Sequence, residues 1–194
     1  MKIYILRHGQ DDDSVRGGWS SVPLMETGIK HAYALANELL TDKKYNIGKI
    51  YSSDIHRAKQ TAQIIADKLN VSVEYLPEFR EVNNGTLAGM NNCEAEKKYP
   101  NLFWRNLDWE EHYPQGESPK EFYERVCNGW YNFTESLANY DKNVLLVTHG
   151  GVINIIRCII NSESYSNRVR YQGAPYAKIC FEVNLDTVLA VGEL

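Results

Sequence analysis

Apolar runs of strand length alternate with segments of helical period, and no other feature constrains the fold of this chain so tightly. Lys2 to Leu6 is almost continuously apolar, as a buried parallel strand is, and it ends on Arg7-His8-Gly9. A polar loop over 10–21 carries Gly17-Gly18. A helix follows with Ile29, Ala32, Tyr33, Leu35, Ala36, Leu39 and Leu40 on one broad face, and Thr27 is its expected N-cap. Ile47 to Tyr51 reads as a second strand. Ser53 or Asp54 is placed to cap the next helix, where Ala58, Thr61, Ala62, Ile65, Ala66 and Leu69 recur at helical spacing. Val71 to Leu76 is a third strand, ended by Pro77. This β-α-β-α-β order predicts an α/β fold, a mostly parallel sheet with helices on its faces.

The stretch 85–116 breaks the pattern. It is polar, holds two prolines and the aromatics Phe103, Trp104, Trp109 and Tyr113, and is too long for an ordinary connection. Short helices forming a lid-like insertion are expected there. Ser118-Pro119-Lys120-Glu121 then reads as N-cap, first-turn proline and capping-box glutamate of a helix that turns Phe122, Val126, Trp130, Phe133 and Leu137 inward. Asn143 to Thr148 is the most apolar strand, and Gly151 to Ile160 a buried helix. Tyr176 to Val183 and Thr187 to Val191, joined by Asn184-Leu185-Asp186, are expected to close the sheet as an antiparallel hairpin. No linker composition divides the chain, so residues 1–194 are expected to form one domain with its insertion.

A net charge of −4 offers neither a basic stripe for nucleic acid nor a polybasic face for a membrane, so neither is expected as a partner. An anionic substrate must then be gripped by a few local arginines. The four cysteines are far apart, form no C-x-x-C pair, and are expected to be reduced packing residues. The N-terminus runs directly into a strand, and the apolar runs fall far short of the ~20 residues of a membrane span. A soluble, cytoplasmic protein is expected. Its oligomeric state is left open, a homodimer included.

Ligands of open α/β sheets sit outside the carboxyl ends of the strands. His8 and His149 each lie just past such an end and before a glycine, Arg57 lies in the first turn after the second strand, and Glu81 follows the third. Taken singly, each has an ordinary alternative: a strand-end pair, an exposed helix arginine, a surface pair with Arg80, a turn histidine. Their joint placement on one rim is what points to chemistry. Arg7 and Arg57 are planar forks suited to phosphate. A neutral imidazole is a competent nucleophile near pH 7, and phosphoryl transfer needs mainly positioning and charge stabilisation. Glu81 could protonate a leaving alkoxide and then deprotonate water. A second imidazole, protonated, could steady the equatorial oxygens. The carboxylates lack the clustered spacing of magnesium or zinc sites, and no metal or cofactor is expected.

Leu6-Arg7-His8-Gly9, Pro23-Leu24 with Thr27-Gly28, Ser52-Ser53 through Arg57-Ala58 and Thr61-Ala62, Glu81 with Gly85 and Gly89, Gly116-Glu117-Ser118 and Thr148-His149-Gly150-Gly151 occur in that order. This ordered set resembles the histidine phosphatase superfamily, the phosphoglycerate mutase-like family. The resemblance implies a three-layer α/β/α sandwich, a phosphohistidine on His8, a phosphate pocket of Arg7, Arg57 and His149, and Glu81 as acid and base. Gly150, in the same motif, is expected to help bind phosphate. Gln10, Ser14, Asn84, Asn92 and Trp104 are expected around the substrate.

In the mutases of that family the residue after the acid is typically Arg, Tyr follows two later, and Lys comes soon after Gly-x-Leu-x-Gly. Here Val82, Asn84 and Asn92 hold those positions. Each charge-assisted hydrogen bond forgone is worth ~1.5–3 kcal/mol, so affinity for a bisphosphate should be low. The loop after His8 is shorter than the family pattern and carries Asp11-Asp12-Asp13, and the chain stops at Leu194 without the longer mutase tail. The expectation is a metal-independent phosphatase acting on a small phosphorylated metabolite. The alternatives are a cofactor-dependent phosphoglycerate mutase and a non-catalytic phosphate-binding protein, which would have no need of Glu81.

Overall fold

The computed structural model describes residues 1–169, 171 and 173–186. Five strands form one sheet in the order β3-β2-β4-β1-β5. They are β1 (Lys2–Arg7), β2 (Ile47–Ser52), β3 (Val73–Tyr75), β4 (Asn143–Thr148) and β5 (Ile179–Asn184). The pairs β1·β4, β2·β4 and β2·β3 are parallel, and β5 runs antiparallel to β1. The helices are α1 (Glu26–Thr41), α2 (His56–Leu69), α3 (Asn92–Lys98), α4 (Pro119–Ser136) and α5 (Gly150–Ile160).

Strand periodicity builds the three layers. Ile3 and Ile5 of β1, with Val144 and Leu146 of β4, face Phe122, Val126, Phe133, Val152 and Ile156 of α4 and α5. Their alternates Tyr4 and Leu6, with Leu145 and Val147, face Leu35, Leu39, Ala58, Ala62 and Ile65 of α1 and α2. These β1 and β4 side chains are sealed on both faces, each worth about 1.5–3 kcal/mol of burial. A one-residue slip would exchange the two cores and move the strand-end residues with them.

Several local expectations are corrected. Thr27 does not cap α1: the helix opens after Met25 with no side-chain cap, and the Thr27 hydroxyl donates to Gln10 Oε1 at 3.0 Å. Tyr33 and Leu40 are exposed, because the helix is packed through its narrower stripe of Gly28, Ala32, Leu35, Ala36 and Leu39. Ile55 is the N-cap of α2. Ser53 Oγ only accepts the Ile55 N–H at 3.3 Å, while Asp54 is drawn off to Arg80. The last described strand starts at Ile179, not Tyr176. Ala177 takes φ 45° and gives its N–H to the carbonyls of Arg7 and His8, which bends Tyr176 toward the site. The expected strand Thr187 to Val191 lies outside the described residues.

The capping box at Ser118 and Glu121 forms in both directions, with Pro119 in the first turn. Within 85–116 there is a single 3-10 turn at Gly85–Leu87, then α3, and a small core of Leu87, Leu107 and Tyr113. The segment is pinched at its neck. Gly85 has φ 53° and passes so close to Pro114 that a Cβ there would meet its carbonyl oxygen at 2.0 Å. Cys93, Cys127, Cys158 and Cys180 are all free thiols. Among the described residues no helix is long and apolar enough to cross a membrane.

Candidate active site

β2, β4 and β1 are neighbours, so their carboxyl ends deliver three groups to one place. The β1·β4 ladder continues past Arg7, where the His8 N–H donates to the Thr148 carbonyl at 2.9 Å, and Ser53 N–H likewise reaches Val147. His8 and His149 emerge side by side with ring centroids 5.0 Å apart, and Arg57 meets them from the first turn of α2. All three are almost wholly buried.

Their hydrogen bonds assign the protons. His8 Nδ1 lies 2.7 Å from the Gly9 carbonyl, an acceptor only, so Nδ1 carries the hydrogen. Arg57 Nε–H donates to His8 Nε2 at 3.1 Å, so that nitrogen presents its lone pair. Burial, then the charges of Arg57 and Arg7, hold the His8 pKa well below its ordinary value, and the ring is neutral at pH 7. His149 is also held well below, by burial and then Arg57, His8 and Arg7. Both imidazoles are thus held toward their neutral forms. Ser53 Oγ lies 2.8 Å from His149 Nε2, while His149 Nδ1 is buried without a partner among the described residues. With Ser53 donating, Nδ1–H is left as a spare donor.

Arg7 gives Nη1 to the Ala174 carbonyl at 2.9 Å and lies against the Tyr176 ring at 3.7 Å. Gly150 opens α5 beside the Arg7 guanidinium, where first-turn N–H groups favour an anion. Glu81 lies across from them. Its Oε2 accepts from Gly151 N–H and its Oε1 from Val82 N–H, each at 3.1 Å. A Cβ on Gly151 would stand 2.3 Å from Glu81 Oε1, so a larger residue there would displace the carboxyl. The Glu81 backbone is clamped too. Its carbonyl accepts from Trp19 Nε1 at 2.7 Å and from Arg125 Nη2 at 3.3 Å. Arg125 is itself held in a fork by Glu117, at 2.7 and 2.9 Å. Glu81 makes no pair with Arg80, which is forked onto Asp54.

Glu81 opens onto a cavity of about 340 Å³. Its lining mixes the aromatics Trp104, Tyr113, Phe122, Tyr165 and Tyr171 with the polar Arg16, Arg105, Asn84, Asn154 and Asn167. Trp104 is seated by Tyr113 and Phe122, and Asn167 holds the Trp104 and Leu107 carbonyls. Of the residues expected around the substrate, Asn84 and Trp104 line this cavity. Gln10, Ser14 and Asn92 do not. Gln10 turns to Thr27 and lines a separate groove beside α1 and β5, because Gly9 and Gly28 bring the two backbones into contact. Ser14 and Asn92 spend their groups on each other's loops, Asn92 N–H on the Ser14 carbonyl and Asn92 Nδ2 on that of Asp13.

The sequence matches the histidine phosphatase superfamily (branch 1) over residues 3–186. The chain belongs to that family. A protein of Schizosaccharomyces pombe named as a phosphatase is 34% identical over 161 residues, covering 81% of this chain and 72% of its own. A 2,3-bisphosphoglycerate-dependent phosphoglycerate mutase of Bacteroides fragilis is 29% identical over 199 residues, covering 84% and 80%. Among solved structures, the mycobacterial glucosyl-3-phosphoglycerate phosphatase complexed with VO3 superposes with a TM-score of 0.73 at 27% identity, covering 91% of this chain and 88% of that one. The α/β fold expected from the sequence is the fold of this superfamily.

Several residues of this histidine phosphatase escaped the sequence reading. Arg16 is seated by backbone bonds to Gly89 and Met90, and its Nε is buried without a partner among the described residues. Arg16 and Arg105 put cations on a cavity that the losses at Val82, Asn84 and Asn92 had suggested was poor in them. Trp19, Arg125 and Tyr176 sit in a loop, on a helix flank and at a bend, and none completes a period or a motif.

Proposed function

We propose that His8 Nε2 attacks the phosphorus of a small phosphomonoester, held at its equatorial oxygens by Arg7, Arg57, His149 Nδ1–H and the Gly150 N–H. The bond from phosphorus to the leaving oxygen breaks as Glu81, in its acid form, protonates that oxygen. Water, giving its proton to Glu81, then attacks the phosphohistidine, restoring His8 and releasing inorganic phosphate. The chain is a phosphatase of the histidine type. The observation that carries the residue roles is the tautomer of His8: Nδ1 tied to its own backbone, and a bare Nε2 facing a guanidinium 3.1 Å away.

The substrate class we infer is a phosphorylated metabolite whose alcohol part fits the 340 Å³ cavity, room for about eleven water-sized atoms. The 85–116 segment serves as its lid-like wall within a single domain, and the free thiols suit a cytoplasmic setting. Brief reaction with ³²P-labelled substrate should leave an acid-labile, alkali-stable label on the wild type, and none on His8→Ala. His8→Ala turnover should fall by about 10⁴-fold or more. Label on another residue, or turnover that survives in His8→Ala, would overturn the assignment. Activity is expected to persist in EDTA. Arg16 and Arg105 favour a second reading, mutase action on an acidic substrate, and turnover that depends on 2,3-bisphosphoglycerate would select it.

A further inference from the structure

The three consecutive aspartates part company on folding. Asp12 is exposed and accepts the Ser14 N–H at 2.8 Å. Asp13 Oδ1 takes the Tyr176 hydroxyl at 2.6 Å, steadying the ring that lies on Arg7. Asp11 goes inward. It is 7% exposed, its backbone is bridged to Leu24, and its Oδ2 stands 3.3 Å from Arg57 Nε. That same Nε is the donor to His8 Nε2. The rest of the guanidinium is engaged as well, Nη2 with the Gly18 carbonyl at 3.0 Å and Nη1 with Ser20 Oγ at 3.5 Å. A phosphoryl group arriving at His8 thus finds a carboxylate of the chain already beside the edge of Arg57 nearest the nucleophile.

We propose that Asp11 is a resident competitor for the phosphate seat, orienting Arg57 and weakening its hold on product phosphate. The inference rests on the reading of Arg57 as a phosphate ligand. Two anions sharing one guanidinium repel each other, and burial removes the water that would screen them. Asp11 then trades affinity for release. It lets a site with two arginines and a helix N-terminus discharge its product, at the cost of weaker ground-state binding.

The test measures sulfate and inorganic phosphate affinity by calorimetry and by competitive inhibition, on the full chain and on Asp11→Asn, Asp11→Ser and Arg57→Ala. Both Asp11 variants should bind sulfate about 10- to 100-fold more tightly, the range of one charge-assisted hydrogen bond regained. In pre-steady-state assays they should release phosphate more slowly, with kcat and KM falling together. Unchanged or weaker sulfate binding in the folded variants would overturn the proposal, and so would failure of both to fold, since Asp11 would then be a structural ion pair. If Arg57→Ala binds sulfate as well as the wild type does, the phosphate pocket itself is misassigned. If only Arg57→Ala loses binding, the pocket stands and Asp11 alone falls.

Discussion

The two ends of the proposed site, one assigned to phosphate and one to the alcohol, are made by different means. At the phosphate end, His8, Arg57 and His149 are 3%, 2% and 0% exposed and stand on strand ends or a helix first turn, rooted in both cores. At the alcohol end, Trp104, Arg105, Tyr113 and Asn167 come from irregular segments held by a few side-chain hydrogen bonds and stacked rings. On the proposed reading, the sheet carries the phosphoryl chemistry and the loops choose the leaving group.

Substitutions can break or sharpen that contrast. After His8→Ala, Glu81→Gln, between the two ends, should have the largest effect, slowing alkyl phosphates by about 10²–10⁴-fold. p-Nitrophenyl phosphate, whose leaving group needs no proton, should suffer much less, and equal losses for both would remove Glu81 from the acid role. Gly151→Ala forces a Cβ toward Glu81 Oε1 and should cost roughly 10²-fold in kcat, within the general acid–base range, while its melting temperature stays near that of the wild type. A folded, fully active Gly151→Ala would show that the carboxyl does not need its present seat.

Trp104→Ala should alter kcat/KM by about tenfold for some alcohols and little for others, while inorganic phosphate inhibition stays constant. Parallel losses for every substrate would erase the distinction between the ends. The smallest effect is on stability. Because folded His8 and His149 have depressed pKa values, the unfolded chain binds more protons below about pH 6.5, the ordinary histidine value. Stability contributed by these rings is complete above that pH and is lost as pH falls toward the depressed folded values, by up to about 1.4 kcal/mol per ring per pH unit. Urea midpoints at pH 7.5, 6.5 and 5.5 should show the decline, and His149→Gln should flatten it.

What could be read from the sequence follows the same division. Ile3 to Leu6 and Val144 to Val147 announce buried strands because both faces of the sheet demand apolar residues, and strand ends then locate His8, Arg57 and His149 without further information. Loop residues have no such period. Gln10 and Ser14 follow His8 in the chain, yet Gln10 is turned to Thr27 beside the Gly9–Gly28 contact and Ser14 is tied to the Asn92 loop. Asp11 between them enters the site, so nearness in sequence misleads. Arg125 was hidden for the opposite reason. It sits on an ordinary helix face, and only the carbonyls of Glu78, Arg80 and Glu81 converging on its fork disclose its task.

The crossing at Asn83 and Glu117 separates two inheritances. Glu117 N–H donates to the Asn83 carbonyl at 2.8 Å, and Asn83 N–H donates to the Glu117 carboxylate at 2.8 Å. The two bonds close the ends of the segment between those residues just behind Glu81, so a change within it is separated from the carboxyl by this knot. A chain tied in this way can acquire a new appetite by replacing a single stretch, with its reaction untouched.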